Sequence, residues 1–197
     1  LKRHNRIIGV FGRIDSGKST LIRGEKRLNI KSILSEFQQF IIWDYQKEYN
    51  IKEAEIFEDF NVYIDALKLA IKTKRKIKFI LRFPYPIQVF EKVCKSLYYV
   101  TDCLFLIEEI DIVMNSKKVS PIFEELIHSS AHRGLSLIYT TRRPALIPRL
   151  LTGQTKEIYV FRFTEPIDLD YFKNLLRINI DDIRFLNEHE CFHNSNL

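Results

Sequence analysis

One stretch of eight residues constrains this chain more than any other. Gly12-Arg13-Ile14-Asp15-Ser16-Gly17-Lys18-Ser19 fits the pattern GxxxxGK[ST], directly after the apolar run Arg6–Phe11 and before Ser19-Thr20-Leu21-Ile22, which opens a helix. A strand, a tight loop and a helix in that order form a phosphate cradle. Gly12 and Gly17 permit the bend, the N–H groups of Arg13, Ile14, Asp15 and Ser16 can turn inward, and the helix N-terminus adds its positive dipole end beside Thr20. Lys18 then reaches the β and γ phosphates of a nucleotide such as ATP, and the Ser19 hydroxyl is suited to Mg²⁺ between them. With no ligand present the Lys18 side chain is expected to be exposed. The bland alternative is a glycine-rich turn carrying an exposed lysine, and the flanking strand and helix argue against it.

A strand entering such a loop needs company. Six short β-branched or aromatic runs recur, Arg6–Phe11, Phe40–Trp43, Ile77–Phe83, Cys103–Ile107, Leu135–Thr140 and Glu157–Phe163, each suited to a buried strand. Helical periods separate them. Val62, Tyr63, Ala66, Leu67, Ala70 and Ile71 put an apolar stripe on one face, and Ser120-Pro121 is an N-cap with proline at the first helical position, leading into Ile122, Phe123, Leu126 and Ile127. Strands alternating with helices require crossovers, so the expected class is α/β, a mostly parallel sheet covered by helices on both faces with a P-loop NTPase core. Residues 1–197 read as a single domain, closed from about residue 166 by one or two C-terminal helices, with the last ten residues frayed.

The metal and the water need partners beyond the loop. Leu104-Phe105-Leu106-Ile107 followed by Glu108-Glu109 supplies them at the tip of a buried strand and looks like a Walker B element. Glu108 can hold a Mg²⁺-bound water, and Glu109 can orient or deprotonate the attacking water. Two acids at the start of a helix would equally suit its dipole, and taken alone the pair leaves that reading open.

Composition narrows the setting. Apolar residues make up 46% of the 197 residues, with 15 Phe and 9 Tyr, which excludes a disordered chain. No uncharged apolar run approaches the roughly 20 residues of a membrane-spanning helix, and the start of the chain does not read as a signal peptide. Cys94, Cys103 and Cys191 form no CxxC pair, so neither a disulfide framework nor a zinc site is expected, and the setting reads as reducing and cytoplasmic, the host cytoplasm if the chain is viral. The 31 Lys and Arg against 25 Asp and Glu give a net charge of +6, which suits a polyanionic partner and is also common in ordinary domains.

With these elements placed, three further segments resemble the FtsK/HerA superfamily of P-loop ATPases, which includes small viral packaging ATPases. Phe40-Ile41-Ile42-Trp43-Asp44-Tyr45-Gln46-Lys47-Glu48-Tyr49 looks like the second-strand segment of HerA-type proteins, where an Asp ends the strand and a Glu-Tyr pair follows. His132 to Pro144 is similar to the strand that ends in a Thr-Gln-Arg-Pro sensor, here Thr141-Arg142-Arg143-Pro144, and Glu157–Phe163 with Thr164-Glu165-Pro166 resembles the next element. The likeness runs from about residue 6 to about residue 176. It implies a RecA/HerA-like core and Mg·ATP hydrolysis in a ring, commonly a hexamer, where one subunit's arginine reaches its neighbour's γ-phosphate. It also implies DNA as partner, bound without sequence reading, and a nuclease, capsid or membrane partner, with no direct membrane insertion. Where the pattern has Asp and Gln this chain has Glu108 and Arg142, and the arginine usual three residues before the glycine is Ala131. That leaves Arg133, Arg142 and Arg143 as candidate arginine fingers, with Arg143 matching the family's arginine in position. The basic clusters Lys72–Lys78 and Lys117-Lys118 are candidates for DNA phosphates, the first also reading simply as a solvated turn.

Three function classes therefore stand. A DNA-translocating or packaging ATPase accounts for every segment. A nucleotide-dependent binding module that hydrolyses poorly would explain the altered sensor, and a small-molecule kinase shares the GxxxxGK[ST] loop and the length.

Overall fold

A computed structural model describes residues 5–28, 30–84, 86–115, 119–176 and 179–195. Along the chain run β1 (Ile7–Phe11), α1 (Lys18–Arg23), β2 (Phe40–Trp43), β3 (Glu55–Phe57), α2 (Phe60–Thr73), β4 (Lys78–Leu81), α3 (Pro86–Ser96) and β5 (Leu104–Ile107). They are followed by α4 (Pro121–Arg133), β6 (Ser136–Thr141), α5 (Arg149–Gln154), β7 (Glu157–Phe161), α6 (Pro166–Leu176), α7 (Asp181–Arg184) and β8 (Cys191–Asn194). The strands form one sheet in the order β3-β4-β2-β5-β6-β1-β7-β8, parallel except for the antiparallel pair β7–β8.

All six strands read from the sequence form, and two more join at the edges. β3 and β8 are short and only partly buried, so neither carries the continuous apolar run that marks an interior strand. The residues taken as frayed therefore include a paired strand, with Phe161 opposite Cys191 and Ile158 opposite Asn194.

Alternation along the strands divides the core between the two faces. Ile7, Phe11, Ile41, Trp43, Phe79, Phe105, Ile107 and Tyr139 face the layer built by α2 to α6. Ile8, Val10, Ile42, Ile80, Leu106 and Ile138 face a thinner layer of α1, short 3₁₀ turns and Tyr49. Both faces are covered, unequally.

Two helix details differ from expectation. On α2 the buried residues are Tyr63, Leu67 and Ala70, while Val62 and Ile71 are exposed, because only a narrow seam of this helix meets the sheet. Asp59 caps it, its carboxylate accepting from the N–H groups of Asn61 at 2.8 Å and Val62 at 3.0 Å. Ser120 does occupy the N-cap position of α4, yet its hydroxyl makes no capping bond among the described residues, and Pro121 preorganises the first turn.

The parallel register aligns the carboxyl ends of the strands. Trp43 pairs with both Leu81 and Ile107, so the next residues, Arg82, Asp44 and Glu108, emerge side by side at one edge. Open parallel sheets bind ligands at that edge.

Candidate functional site

β1 lies between β6 and β7, and the loop that leaves it is tied to β6 by the Gly12 N–H, which donates to the Thr141 carbonyl at 3.1 Å. Gly17 sits at φ 105°, in the left-handed region, and a Cβ there would stand 3.1 Å from both the Phe161 ring and the His189 Nδ1. A Cβ on Gly12 would run into the Ser16 hydroxyl, whose Oγ is buried without a hydrogen-bond partner among the described residues. An orphaned hydroxyl inside a glycine-lined loop is what a phosphate oxygen would satisfy.

The structure corrects the expectation for Lys18. Its side chain is folded into the loop and only 9% of the residue is exposed, with Nζ donating to the carbonyls of Gly12 and Arg13 at 2.8 Å each. Burial lowers its pKa, and the nearby Glu109 carboxylate counters part of that effect. The two carbonyls solvate the ammonium inside the loop, which explains why it does not extend into solvent.

Beside it stand the acids. Glu108 is buried, and its Oε2 accepts the Gln46 N–H at 3.0 Å. Burial, opposed by that bond and reinforced by the carboxylates of Asp44 and Glu48, pushes its pKa up to about 8. Asp44 is fully buried, accepts the Glu48 N–H at 2.9 Å and pairs with the Arg82 Nε at 2.8 Å. This organises the turn that brings the Glu48 carboxylate to the Ser19 hydroxyl, which donates to it. Ser19, Glu108 and Glu48 are thus the oxygen donors at hand for Mg²⁺. Among the described residues there is no group of three or more His, Cys, Asp or Glu that could hold a metal. Mg²⁺ in phosphate sites commonly uses one or two carboxylates together with the substrate's own oxygens, which this donor set fits.

Glu109 takes the left-handed conformation, φ 48°, at a cost of roughly 1–2 kcal/mol for a residue with a side chain. Two bonds hold it there: its N–H donates to the Thr140 Oγ1 at 2.9 Å, and its Oε1 accepts from the Arg142 Nε at 2.8 Å. Burial raises its pKa, while Arg142 and Lys18 pull it down. Lys18, Ser19, Thr20, Glu48, Glu108, Glu109 and Arg142 line one cavity of about 350 Å³, together with Ile14 to Gly17, Arg23 and His189.

The other predicted residues lie elsewhere. Arg143 is exposed just beyond β6, its backbone N–H bonded to the Thr141 hydroxyl at 3.0 Å. Arg13 is exposed and reaches Thr164. Arg133 is not brought to this cavity: it ends α4 at the opposite edge of the sheet, its guanidinium 4.4 Å from the Tyr98 ring centroid and bonded to the Tyr98 carbonyl. Within the Lys72–Lys78 cluster, Arg75 pairs with Glu55 at 3.0 Å and Lys78 with Glu53 at 3.2 Å, so acidic neighbours already meet part of that charge. Lys117-Lys118 lies outside the described residues.

The genome packaging NTPase B204 from Sulfolobus turreted icosahedral virus 2, in complex with ATPγS, matches over 99% of this chain and 93% of that chain with a TM-score of 0.75 and 22% identity. This chain has the B204 fold. The same NTPase in complex with AMPPCP gives a TM-score of 0.74 at 23% identity, covering 95% of this chain and 91% of that one. B204 of Sulfolobus Turreted Icosahedral Virus, described as the DNA-packaging ATPase, gives 0.64 at 18%, with 98% of each chain covered. No protein-family model matches the sequence, and no curated protein matches it. The expectation of a P-loop NTPase core akin to viral packaging ATPases is met at the level of the fold. Among the described residues no helix is long and apolar enough to cross a membrane.

Sequence reasoning did not assign roles to Asp44, Glu48, Arg82, Thr140 and His189. Asp44 follows four buried strand residues just as Glu108 does, and that parallel was a usable signal. The approach of His189 to Gly17 depends on pairing between distant segments and left none.

Proposed function

We propose that this chain is a Mg·ATP-dependent motor ATPase that translocates or packages DNA as a ring of identical subunits. The observation that carries the reading is a single cavity in which a phosphate loop, a strand-end pair of acids and a neighbouring strand-end arginine converge. The extent of the likeness to B204, along nearly the whole of both chains, supports the packaging assignment.

Lys18 gives up its carbonyl partners for the β and γ phosphate oxygens, and the loop N–H groups and Ser16 hydroxyl bind the rest. Ser19 and Glu108 hold the metal site, with Glu48 orienting the Ser19 hydroxyl. Mg²⁺ supplies charge neutralisation across the phosphoryl oxygens when bound. Glu109 orients water and accepts its proton, and its ionised form is maintained by Arg142 and Lys18. Arg142 serves its own site, while Arg143, exposed on the same loop, reaches the γ-phosphate of an adjoining subunit. DNA phosphates are met by basic side chains without sequence reading, and a nuclease, capsid or membrane partner would direct the motor.

The Arg142–Glu109 bond also favours a second reading, a binding module with slow turnover, because an acid engaged by arginine is a poorer base. Phosphate release measured with and without DNA, alongside the mass in solution, separates the two. An oligomer whose ATP hydrolysis rises with DNA supports the motor, and nucleotide binding with negligible turnover in either condition supports the module.

A further inference from the structure

The last turn of the chain packs on the phosphate loop. β8 pairs antiparallel with β7 and so returns residues 187–190 to the carboxyl edge of the sheet. Glu190 fixes the turn, its Oε2 accepting both the backbone N–H and the side-chain amide of Asn187 at 2.9 Å each. His189 adopts φ 65°, a left-handed conformation that is uncommon for a residue with a side chain. Its ring stands against Gly17, within 3.1 Å of the position a Cβ would occupy there.

His189 and Ile14 each line two cavities. One is the 350 Å³ phosphate cavity, and the other is a space of about 520 Å³ beside the loop, bounded also by Arg13, Arg162, Thr164 and Asn187 and by the acids Asp15, Glu188 and Glu190. A nucleotide whose phosphates are held by Lys18 has to place its nucleoside somewhere next to the loop. That nucleoside has a flat base with apolar faces and a sugar rich in hydroxyls. The second space offers matching chemistry: Ile14, left 64% exposed, a half-exposed His189 side chain, the Thr164 hydroxyl and the Arg13 guanidinium.

We infer that the turn Asn187–Glu190 is the nucleoside-binding wall of the site, with the base packed between Ile14 and the His189 ring. This rests on the nucleotide reading given above and deepens it by naming what holds the nucleoside. His189 is a positioning residue, without a part in the chemistry.

Calorimetric titration of the full chain with ADP, and separately with inorganic tripolyphosphate, tests it. Tripolyphosphate keeps the phosphates and lacks the nucleoside, so it reports on the loop alone. His189→Ala is expected to raise the Kd for ADP about tenfold, the scale of one base–aromatic contact, and to leave tripolyphosphate binding unchanged. His189→Phe, which keeps a ring, is expected to restore most of the ADP affinity. Equal losses for both ligands, or no change for ADP, would overturn the inference. Wild-type protein that binds neither ligand would overturn the nucleotide reading itself, a different result from a selective failure of the His189 variants.

Discussion

The Nε of Arg142 lies 2.8 Å from Oε1 of Glu109, so the acid proposed to activate water is already bonded to a cation of its own chain. Both residues follow buried strands, β5 and β6, that are adjacent and parallel, and the pairing of Ile107 with Tyr139 sets their spacing. The arginine that follows β6 thus meets the buried carboxylate that follows β5.

Removing that arginine has a predictable sign. Burial raises the pKa of Glu109 and Arg142 lowers it, so Arg142→Ala moves the pKa further up. A base works when ionised, and the acid limb of the pH–rate profile should therefore shift to higher pH in this variant. Glu109→Gln should retain ATP binding and lose turnover by a factor on the order of 10² to 10⁴. An Arg142→Ala profile that superposes on wild type removes Arg142 from the account of the base.

Lys18→Ala should abolish ATP binding with little change in stability, within about 1 kcal/mol, because the lost bonds to Gly12 and Arg13 are offset by no longer burying a charge. Binding measured by titration and chemical denaturation of the same sample check the two halves. A variant that binds ATP like wild type contradicts the assignment of the phosphate site.

Glu108 makes stability depend on pH without nucleotide. Its folded-state pKa, about 8, lies above the ordinary glutamate range, so between that range and about pH 8 the native state holds a proton that the unfolded chain has released. Stability contributed by this group is present at low pH and falls as pH rises through the window. Glu108→Gln cannot titrate and should show a flatter thermal stability between pH 5 and 8 (about the same window). Parallel curves for the two proteins would contradict the assignment.

The fold was legible where strands are interior. Arg6–Phe11, Phe40–Trp43 and Cys103–Ile107 carry unbroken apolar runs because both faces are buried, and GxxxxGK[ST] marks the loop by itself. Edge strands were not legible, since β3 and β8 have one neighbour each and little burial to write into their sequence. The lining of the candidate cavity was legible in its local parts, from Ile14 to Thr20 and at Glu108-Glu109. What joins distant segments, such as Arg82 to Asp44 or His189 to Gly17, comes from register and leaves no local pattern.

Arg82 tests that register directly. Asp44 is fully buried and its partner largely so, and removing one member of such a pair strands the other. Arg82→Ala should cost about 3 kcal/mol in urea denaturation and weaken the Ser19–Glu48 arrangement that depends on the Asp44 turn. A cost under about 0.5 kcal/mol, typical of a surface change, would mean that the pair does not organise this edge.

The exposed Arg143 calls for a two-subunit test. Arg143→Ala and Lys18→Ala should each be inactive alone and regain ATP hydrolysis when mixed, because some interfaces then join an intact loop to an intact arginine. Known fingers of this kind contribute roughly 10³ to 10⁵ in rate, so partial recovery is readily measured. Full activity of Arg143→Ala at a dilution where the protein is monomeric would rule the role out.

If ATP hydrolysis at this site moves DNA, displacement of a third strand from a DNA duplex measures that movement itself. Wild-type protein with Mg²⁺ and ATP is predicted to release the third strand, and Glu109→Gln under the same conditions is predicted to leave it bound. Wild-type protein that hydrolyses ATP in the presence of that DNA yet never displaces the strand would contradict the account.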